Sequence, residues 1–346
     1  MITQDAVQAA LRKVKYPGYS RDIVSFGLIK EVQIDGTAVG VQIELTSPNP
    51  GVGEQIADAI RIVLRNDIPE LSDAHVQVKL PSPQANPSSN VTPNRLPHIG
   101  RIIAVASGKG GVGKSTCSVN LACALRHIGA RVGLLDGDIY GPSIPLMMGI
   151  QDRPQLNDQE QLLPPFAHGV KVMSMGLLIA DDQPVIWRGP MIQKTIQQFI
   201  HQVDWGDLDY LLVDLPPGTG DAQLSLCQIV PLDGGVIVTT PQQASIGVVR
   251  KGMAMFEKVH VPILGIIENM SYFTTPDGSR VEIFGHGGGA KEAERKAVPF
   301  LGEIPILTGI REGGDQGIPA VVANPHGLAG SAFIAVAQTL RNKLSH

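Results

Sequence analysis

The sequence predicts an α/β protein in which a small α+β domain precedes a larger domain built on a mostly parallel sheet covered by helices on both faces. Three observations predict this. The chain has 346 residues, more than one ordinary domain holds. Residues 81–97, PSPQANPSSNVTPNRLP, are dense in Pro, Ser and Asn with nothing to bury, and so read as a linker. Beyond them, short Val/Ile/Leu-rich strands alternate with amphipathic helices, the pattern of a parallel sheet buried on both sides. Composition agrees: residues are 43% hydrophobic and only 4% aromatic, with 39 glycines for functional loops.

In the small domain, residues 1–80, the order is helix, strand, strand, helix, strand. Val7, Leu11 and Val14 mark one helical face, and a first strand follows Asp22. Residues 39–45 alternate inward and outward as a half-buried strand does. Residues 52–64 place Ile56, Ile60, Val63 and Leu64 at helical spacing, and residues 75–80 complete the unit. In the larger domain, residues 98–346, strands are expected at 101–106, 131–135, 170–173, 210–214, 236–239, 263–267 and 300–304. Helices are expected at 115–127, 193–203, 246–259 and near 330–344. Ligands of such sheets bind beyond the carboxyl ends of the strands, and each motif below stands at such an end.

The strongest motif is Gly108-Lys109-Gly110-Gly111-Val112-Gly113-Lys114-Ser115-Thr116. It fits G-x-x-x-x-G-K-[ST], follows an apolar strand and opens a helix, which makes the larger domain a P-loop NTPase domain. Glycines let backbone N–H groups turn inward around phosphate oxygens, and the helix N-terminus adds a favourable dipole. Lys114 is placed to reach the β- and γ-phosphates of ATP, and the Ser115 hydroxyl to ligate Mg2+. Asp136 and Asp138 close one apolar strand, and Asp214 closes another. A single Asp there would more simply cap the next helix, but two such strand ends in one P-loop domain favour a metal role. Asp214 is then placed to hold Mg2+ through water, with Asp136 supporting it. Residues 216–221, PPGTGD, read as the loop that senses the γ-phosphate. Asn269, in Glu268-Asn269-Met270-Ser271, has the donor and acceptor to read an adenine edge, or forms an Asx turn.

Several function classes are disfavoured. A net charge of −4 without a dense Lys/Arg block gives no footprint for nucleic acid. No apolar run approaches the ~18 residues of a membrane span, and residues 1–16 lack a signal pattern, so a cytoplasmic protein without a membrane partner is expected. Cys117, Cys123 and Cys227 form neither a C-x-x-C nor an even disulfide framework, and each sits in an apolar stretch.

GKGGVGKST, LLDGDIYGPSIP, WRGPM at 187–191, DYLLVDLPPGTGD and ENMSYF with FGHGGG together resemble the Mrp/ApbC family of deviant Walker A ATPases. The small domain, with RDIVSFGLI and TSPNPGVGEQI, is similar to the PaaD/SufT-like module fused to many of them. The resemblance implies an ATP-regulated homodimer with slow turnover that receives iron–sulfur clusters and passes them to apo-proteins, in contact with assembly factors. It implies that Lys109, the lysine after the first Gly, crosses the dimer interface to the partner's nucleotide. It also implies that Asp138 orients the attacking water, beside Lys114 and Lys109 as catalytic groups. One departure matters. The family's C-x-x-C should fall a few residues after ENMS, where this chain has Thr275 and Gly278, and thiolates hold such clusters. His286 is the remaining non-Cys ligand candidate, though a His in a Gly-rich loop is more often structural or a phosphate-side contact, and one His does not make a metal site. Alternatives are an ATPase that regulates cluster assembly without binding a cluster, and a positioning ATPase of the Min or Par kind. The latter needs a membrane-targeting tail or basic face, whereas residues 331–346 carry only Arg341 and Lys343 as Lys/Arg cations. A redox ATPase would need a cysteine within 216–221.

Overall fold

The computed structural model of the chain describes residues 2–15, 22–25, 27–45, 50–79, 96–139, 141–178 and 189–344. Of the stretches singled out above, residues 1, 16, 21, 26, 46–49, 80–95, 140, 187–188 and 345–346 lie outside the described residues. The chain divides into two compact units, Met1–Val91 and Thr92–His346.

In the first unit, α1 (Gln4–Leu11) starts at Thr3, whose Oγ1 accepts from the Ala6 N–H. β1 (Ile29–Asp35) and β2 (Ala38–Glu44) pair antiparallel, α2 (Pro50–Asp67) crosses over, and β3 (Asp73–Lys79) pairs parallel with β2. Val39, Val41 and Ile43 alternate inward on β2 and meet Val7, Leu11, Ile56, Ile60 and Leu64 of the helices. Two expectations shift. Val14 is buried, but in a turn beyond α1, where its carbonyl accepts from Ile23 N–H. The strand does not follow Asp22 directly: the Asp22 carboxylate accepts from the N–H and hydroxyl of Ser25, making a turn that delays β1 to Ile29.

The second unit runs β4 (Ile99–Ala106), α3 (Lys114–His127), β5 (Val132–Asp136), α4 (Ile144–Met147), β6 (Gln155–Leu156), β7 (Leu162–Leu163), β8 (Phe166–Ala167), β9 (Val170–Ser174), α5 (Gly189–His201) and β10 (Leu208–Asp214). It continues with α6 (Asp221–Ile229), β11 (Gly234–Thr239), α7 (Gln243–Lys258), β12 (Ile263–Glu268), β13 (Phe273–Thr274), β14 (Arg280–Val281), α8 (Gly288–Arg295), β15 (Phe300–Glu303), α9 (Thr308–Gln316), α10 (Ala320–Ala323) and α11 (Leu328–Leu344). The sheet order is β15-β12-β11-β4-β10-β5-β9-β8, parallel throughout except for the two-residue edge strand β8. As expected, both faces are covered. Ile103 and Val105 of β4 point to a core shared with α3 and α11, while Ile102, Ala104 and Ala106 point to one shared with α5, α6 and α7. Strand β4 lies mid-sheet, between β10 and β11, so the loop that follows it opens beside the point where chain order reverses direction.

Helices α6, α8 and α9 were not foreseen. The first turns of α8 and the body of α9 contain Gly288, Gly289, Gly309, Gly313 and Gly314, which weaken any periodic signal. Tertiary contact overrides propensity there. A Cβ on Gly313 would stand 2.4 Å from the Ile318 carbonyl oxygen, so the close turn requires glycine.

Candidate active site

The loop 108–113 leaves β4 and enters α3 through two left-handed residues, Gly111 (φ +78°) and Gly113 (φ +76°). Neither position suits a side chain; a Cβ on Gly113 would stand 2.3 Å from Asn269 Nδ2. At the loop's other end, a Cβ on Gly108 would stand 2.4 Å from the Val248 carbonyl oxygen, so α7 packs directly on the backbone. The loop borders a cleft of ≈ 620 Å3, lined by Gly110, Gly111, Gly113, Lys114, Ser115 and Thr116 together with Asp138 and Asn269.

Strand pairing sets the acids. β5 and β10 run parallel with Asp136 directly opposite Asp214, so two carboxylates end adjacent strands side by side. Asp214 is fully buried, and three donors converge on it. Lys114 Nζ lies 2.6 Å from Oδ2, the Ser115 hydroxyl 2.6 Å from the same oxygen, and the Ser118 hydroxyl 2.6 Å from Oδ1. Asp136 forms no ion pair among the described residues: Ser174 Oγ donates to it at 3.0 Å and the Asp138 N–H at 3.1 Å. Burial first, and the neighbouring Asp214 charge second, push the Asp136 carboxyl up to about 7. Asp138 is half-buried at the cleft, its Oδ1 accepting from Gly141 N–H at 3.3 Å.

The remaining expected residues fall as follows. Asn269 is buried, and its Nδ2 donates to the Val112 carbonyl at 2.9 Å, so this side chain clamps the loop while also lining the cleft. Val112 is packed in the core, and Thr116 reaches Met147 Sδ with its hydroxyl. Lys109 is exposed and bonds to none of the described residues. His286 is exposed and pairs with Glu282 at 3.1 Å. The cleft also has a wall that sequence reading missed: Met147, Phe284 and the segment from Pro305 through Arg311 to Asp315. Its signal was present, since Pro305 follows a parallel strand at its carboxyl end.

The three cysteines are buried, and the sheet separates one of them from the other two. Cys117 and Cys123 belong to the core under α3, and Cys227 belongs to the core on the opposite face. Burial raises all three thiols, Cys123 and Cys227 to about 12. Where the resemblance placed a thiolate pair, β13 and β14 form a short hairpin closed by Thr275, Asp277 and Ser279. Arg280 stacks over the Tyr272 ring beside it, and Gly278 takes a left-handed φ of +85°. Among the described residues no group of three or more His, Cys, Asp or Glu side chains is arranged to hold a metal.

The donors at the cleft fit a nucleotide with a hard cation. Ser115 Oγ and the Asp214 carboxylate are oxygen ligands of the kind Mg2+ takes, and the inward-turned loop and Lys114 suit phosphate. They do not suit a soft cluster, which needs thiolates.

A P-loop opening into such a cleft beside a buried lysine–aspartate pair defines a P-loop NTPase. The chain belongs to the family of NUBPL iron-transfer P-loop NTPases, which it matches over residues 98–341. Residues 4–78 match the iron–sulfur cluster assembly protein family. An iron–sulfur cluster carrier protein of Synechocystis is 46% identical, covering 100% of this chain and 99% of its own. One from Deinococcus radiodurans is 44% identical over 99% of this chain and 95% of its own. Among solved structures, a nucleotide-binding protein of Archaeoglobus fulgidus in complex with ADP superposes with a TM-score of 0.59 at 42% identity, covering 65% of this chain and 90% of that one. The cell division ATPase MinD of Pyrococcus furiosus gives a TM-score of 0.55 at 25% identity, covering 70% and 99%.

Proposed function

We propose that this protein is an ATP-hydrolysing carrier of iron–sulfur clusters that delivers them to apo-proteins and works as a nucleotide-gated homodimer. The observation that carries the nucleotide half is the buried convergence of Lys114, Ser115 and Ser118 on Asp214 at the floor of the P-loop cleft. Without nucleotide these groups satisfy one another. When a triphosphate enters, Lys114 turns from Asp214 to the β- and γ-phosphoryl oxygens, and the loop N–H groups take the remaining charge. Ser115 and Asp214, with Asp136 behind, would hold Mg2+, which neutralises charge on the phosphates. Asp138 orients the attacking water, Asn269 meets the adenine, and Lys109 of a second copy completes the site in trans. The 81–97 linker tethers the small domain, which engages clients or assembly factors.

The experiment is a pair of variants assayed for nucleotide binding and phosphate release. K114A should lose both, and because it strips the cation from a buried carboxylate it should also cost about 3 kcal/mol of stability. Asp138→Ala should bind ATP yet release phosphate slowly. Normal turnover in K114A would sink the ATPase assignment.

A second reading is favoured by the cysteines. Cys117 and Cys123 share one core, Cys227 lies across the sheet, and all three are buried among apolar side chains, so none is open to a cluster and this protein would regulate assembly and bind no cluster. Iron and acid-labile sulfide per subunit after anaerobic reconstitution decide between the two. Stoichiometric cluster supports the carrier; none moves the protein to regulator.

A further inference from the structure

Five non-glycine residues among those described carry a left-handed φ, and Met270, at +55°, is the one that lines the nucleotide cleft. A bulky side chain at such a φ is strained and stays there only where its surroundings hold it. Here restraints lie on both sides. The Asn269 N–H donates to the Thr239 carbonyl at 2.7 Å and the Ser271 N–H to the Ile304 carbonyl at 2.9 Å, which fixes the turn to β11 and to the chain just past β15. Between them the Ser271 hydroxyl donates back across Met270 to Glu268 Oε1 at 2.6 Å. The other carboxylate oxygen, Oε2, accepts from the Gly289 N–H at 2.5 Å, at the start of α8. Glu268 is completely buried and forms no ion pair among the described residues. A buried carboxylate without a cation is unfavourable, yet it accepts at both ends, which an amide cannot do.

In an extended strand consecutive side chains point to opposite faces. The turn instead brings two of them to one glycine of the phosphate loop: a Cβ on Gly113 would stand 2.3 Å from Asn269 Nδ2 and 3.6 Å from Met270 Cε. Asn269 Oδ1 accepts from none of the described residues, and it is not among the enclosed polar atoms, so it keeps accessible surface at the cleft that Asn269 lines. We propose that Glu268 and Ser271 are positioning residues for recognition of the base. Their hydrogen bond holds Met270 left-handed, and that turn presents the Asn269 amide to the nucleotide. Neither residue touches the ligand; both act through Asn269. The Gly289 bond extends the same carboxylate to α8, so the base contact is seated on two elements, β12 and α8.

The inference rests on the reading of Asn269 as the adenine contact and is tested separately from it. Each variant is titrated calorimetrically with Mg2+–ADP and Mg2+–GDP, and its melting temperature without nucleotide shows that the compared chains are folded. Ser271→Ala removes the tie, and the preference for ADP over GDP should fall about fivefold, as for the loss of one hydrogen bond to the base. Glu268→Gln, of similar volume, should lower it likewise, because its amide cannot accept from both donors. Glycine takes the left-handed φ without strain, so a Met270→Gly background no longer depends on the tie. There, Ser271→Ala should change the preference less than about twofold. Equal weakening of both nucleotides by Ser271→Ala, an unchanged preference, or the same fall in the Met270→Gly background would each overturn the proposal. A wild-type protein without a base preference, or Asn269→Ala with the wild-type preference, would instead remove the reading beneath it.

Discussion

Asn269 commits one amide hydrogen to the Val112 carbonyl, which leaves a second hydrogen and the Oδ1 acceptor for a ligand. Replacing it by Ala strands a buried carbonyl, at a cost of about 1–3 kcal/mol. If Asn269 also meets the base, Asn269→Ala lowers the preference for ATP over GTP, measured as the ratio of their dissociation constants. Equal weakening of both nucleotides would confine its role to clamping the loop. The thiols make a second residue-scale case. A native thiol raised to about 12 by burial carries almost no thiolate at neutral pH. Ellman's reagent should therefore titrate no cysteine within minutes in the native protein and three after denaturation. A fast native thiol would show that one of the cores opens. The pH dependence has a definite sign. The folded value lies above the ordinary 9.0, so the contribution of the neutral thiols is complete below pH 9 and is lost as pH rises toward 12. Urea midpoints from pH 8 to 11 should fall accordingly.

At the scale of elements, the phosphate loop depends on one residue without a side chain. Gly113 combines a φ of +76° with a Cβ position 2.3 Å from Asn269 Nδ2. Gly113→Ala should keep its far-UV circular dichroism, since the helix beneath remains, yet lose nucleotide binding because the Asn269–Val112 clamp is forced apart. Retained binding would mean that the loop can re-form around a methyl group. This loop was fully legible in the sequence because its chemistry is local: glycines, lysine and hydroxyl act in consecutive positions. The strands β4, β5, β10, β11 and β12 were legible because a doubly covered strand is a continuous apolar run. What stayed hidden was non-local or short. The cleft wall from Pro305 to Asp315 depends on where β15 ends in space. Helix α9 is rich in glycine, and the edge strand β8 is only two residues long. The Asn269–Val112 bond joins positions far apart in sequence, and no spacing announces it. The hairpin β13–β14 shows the opposite case, where the absence of cysteines was plain but the closure by Thr275, Asp277 and Ser279 needed coordinates.

At the scale of the whole molecule, no helix among the described residues is long and apolar enough to cross a membrane. The gating proposed above is read in subunit association. Lys109 is exposed beside the cleft and bonds to none of the described residues, which suits a residue that acts on another copy. Light scattering of the eluting protein should give a dimer with ATP and Mg2+ and a smaller species without nucleotide. Lys109→Ala should bind ATP normally but hydrolyse it more slowly by at least about tenfold, as for loss of a cationic group supplied in trans. A variant with unchanged turnover would remove Lys109 from the reaction. The parallel sheet was predictable as a class, whereas the placement of the cysteines on its two opposite faces was not. That depends on which helices cover which side, a property of handedness and order that no single segment carries.

The pairing of Lys114 with Asp214 has a consequence for thermodynamic linkage. A phosphate that draws Lys114 away leaves a fully buried carboxylate whose remaining partners are uncharged hydroxyls, and an uncompensated buried charge is expensive. A replacement positive charge is then required at the moment of entry, so anion and divalent cation become co-ligands whose affinities rise and fall together. By reciprocity the factor by which one strengthens the other is the same in both directions. Starved of cations, the protein would keep its own lysine and turn nucleotide away.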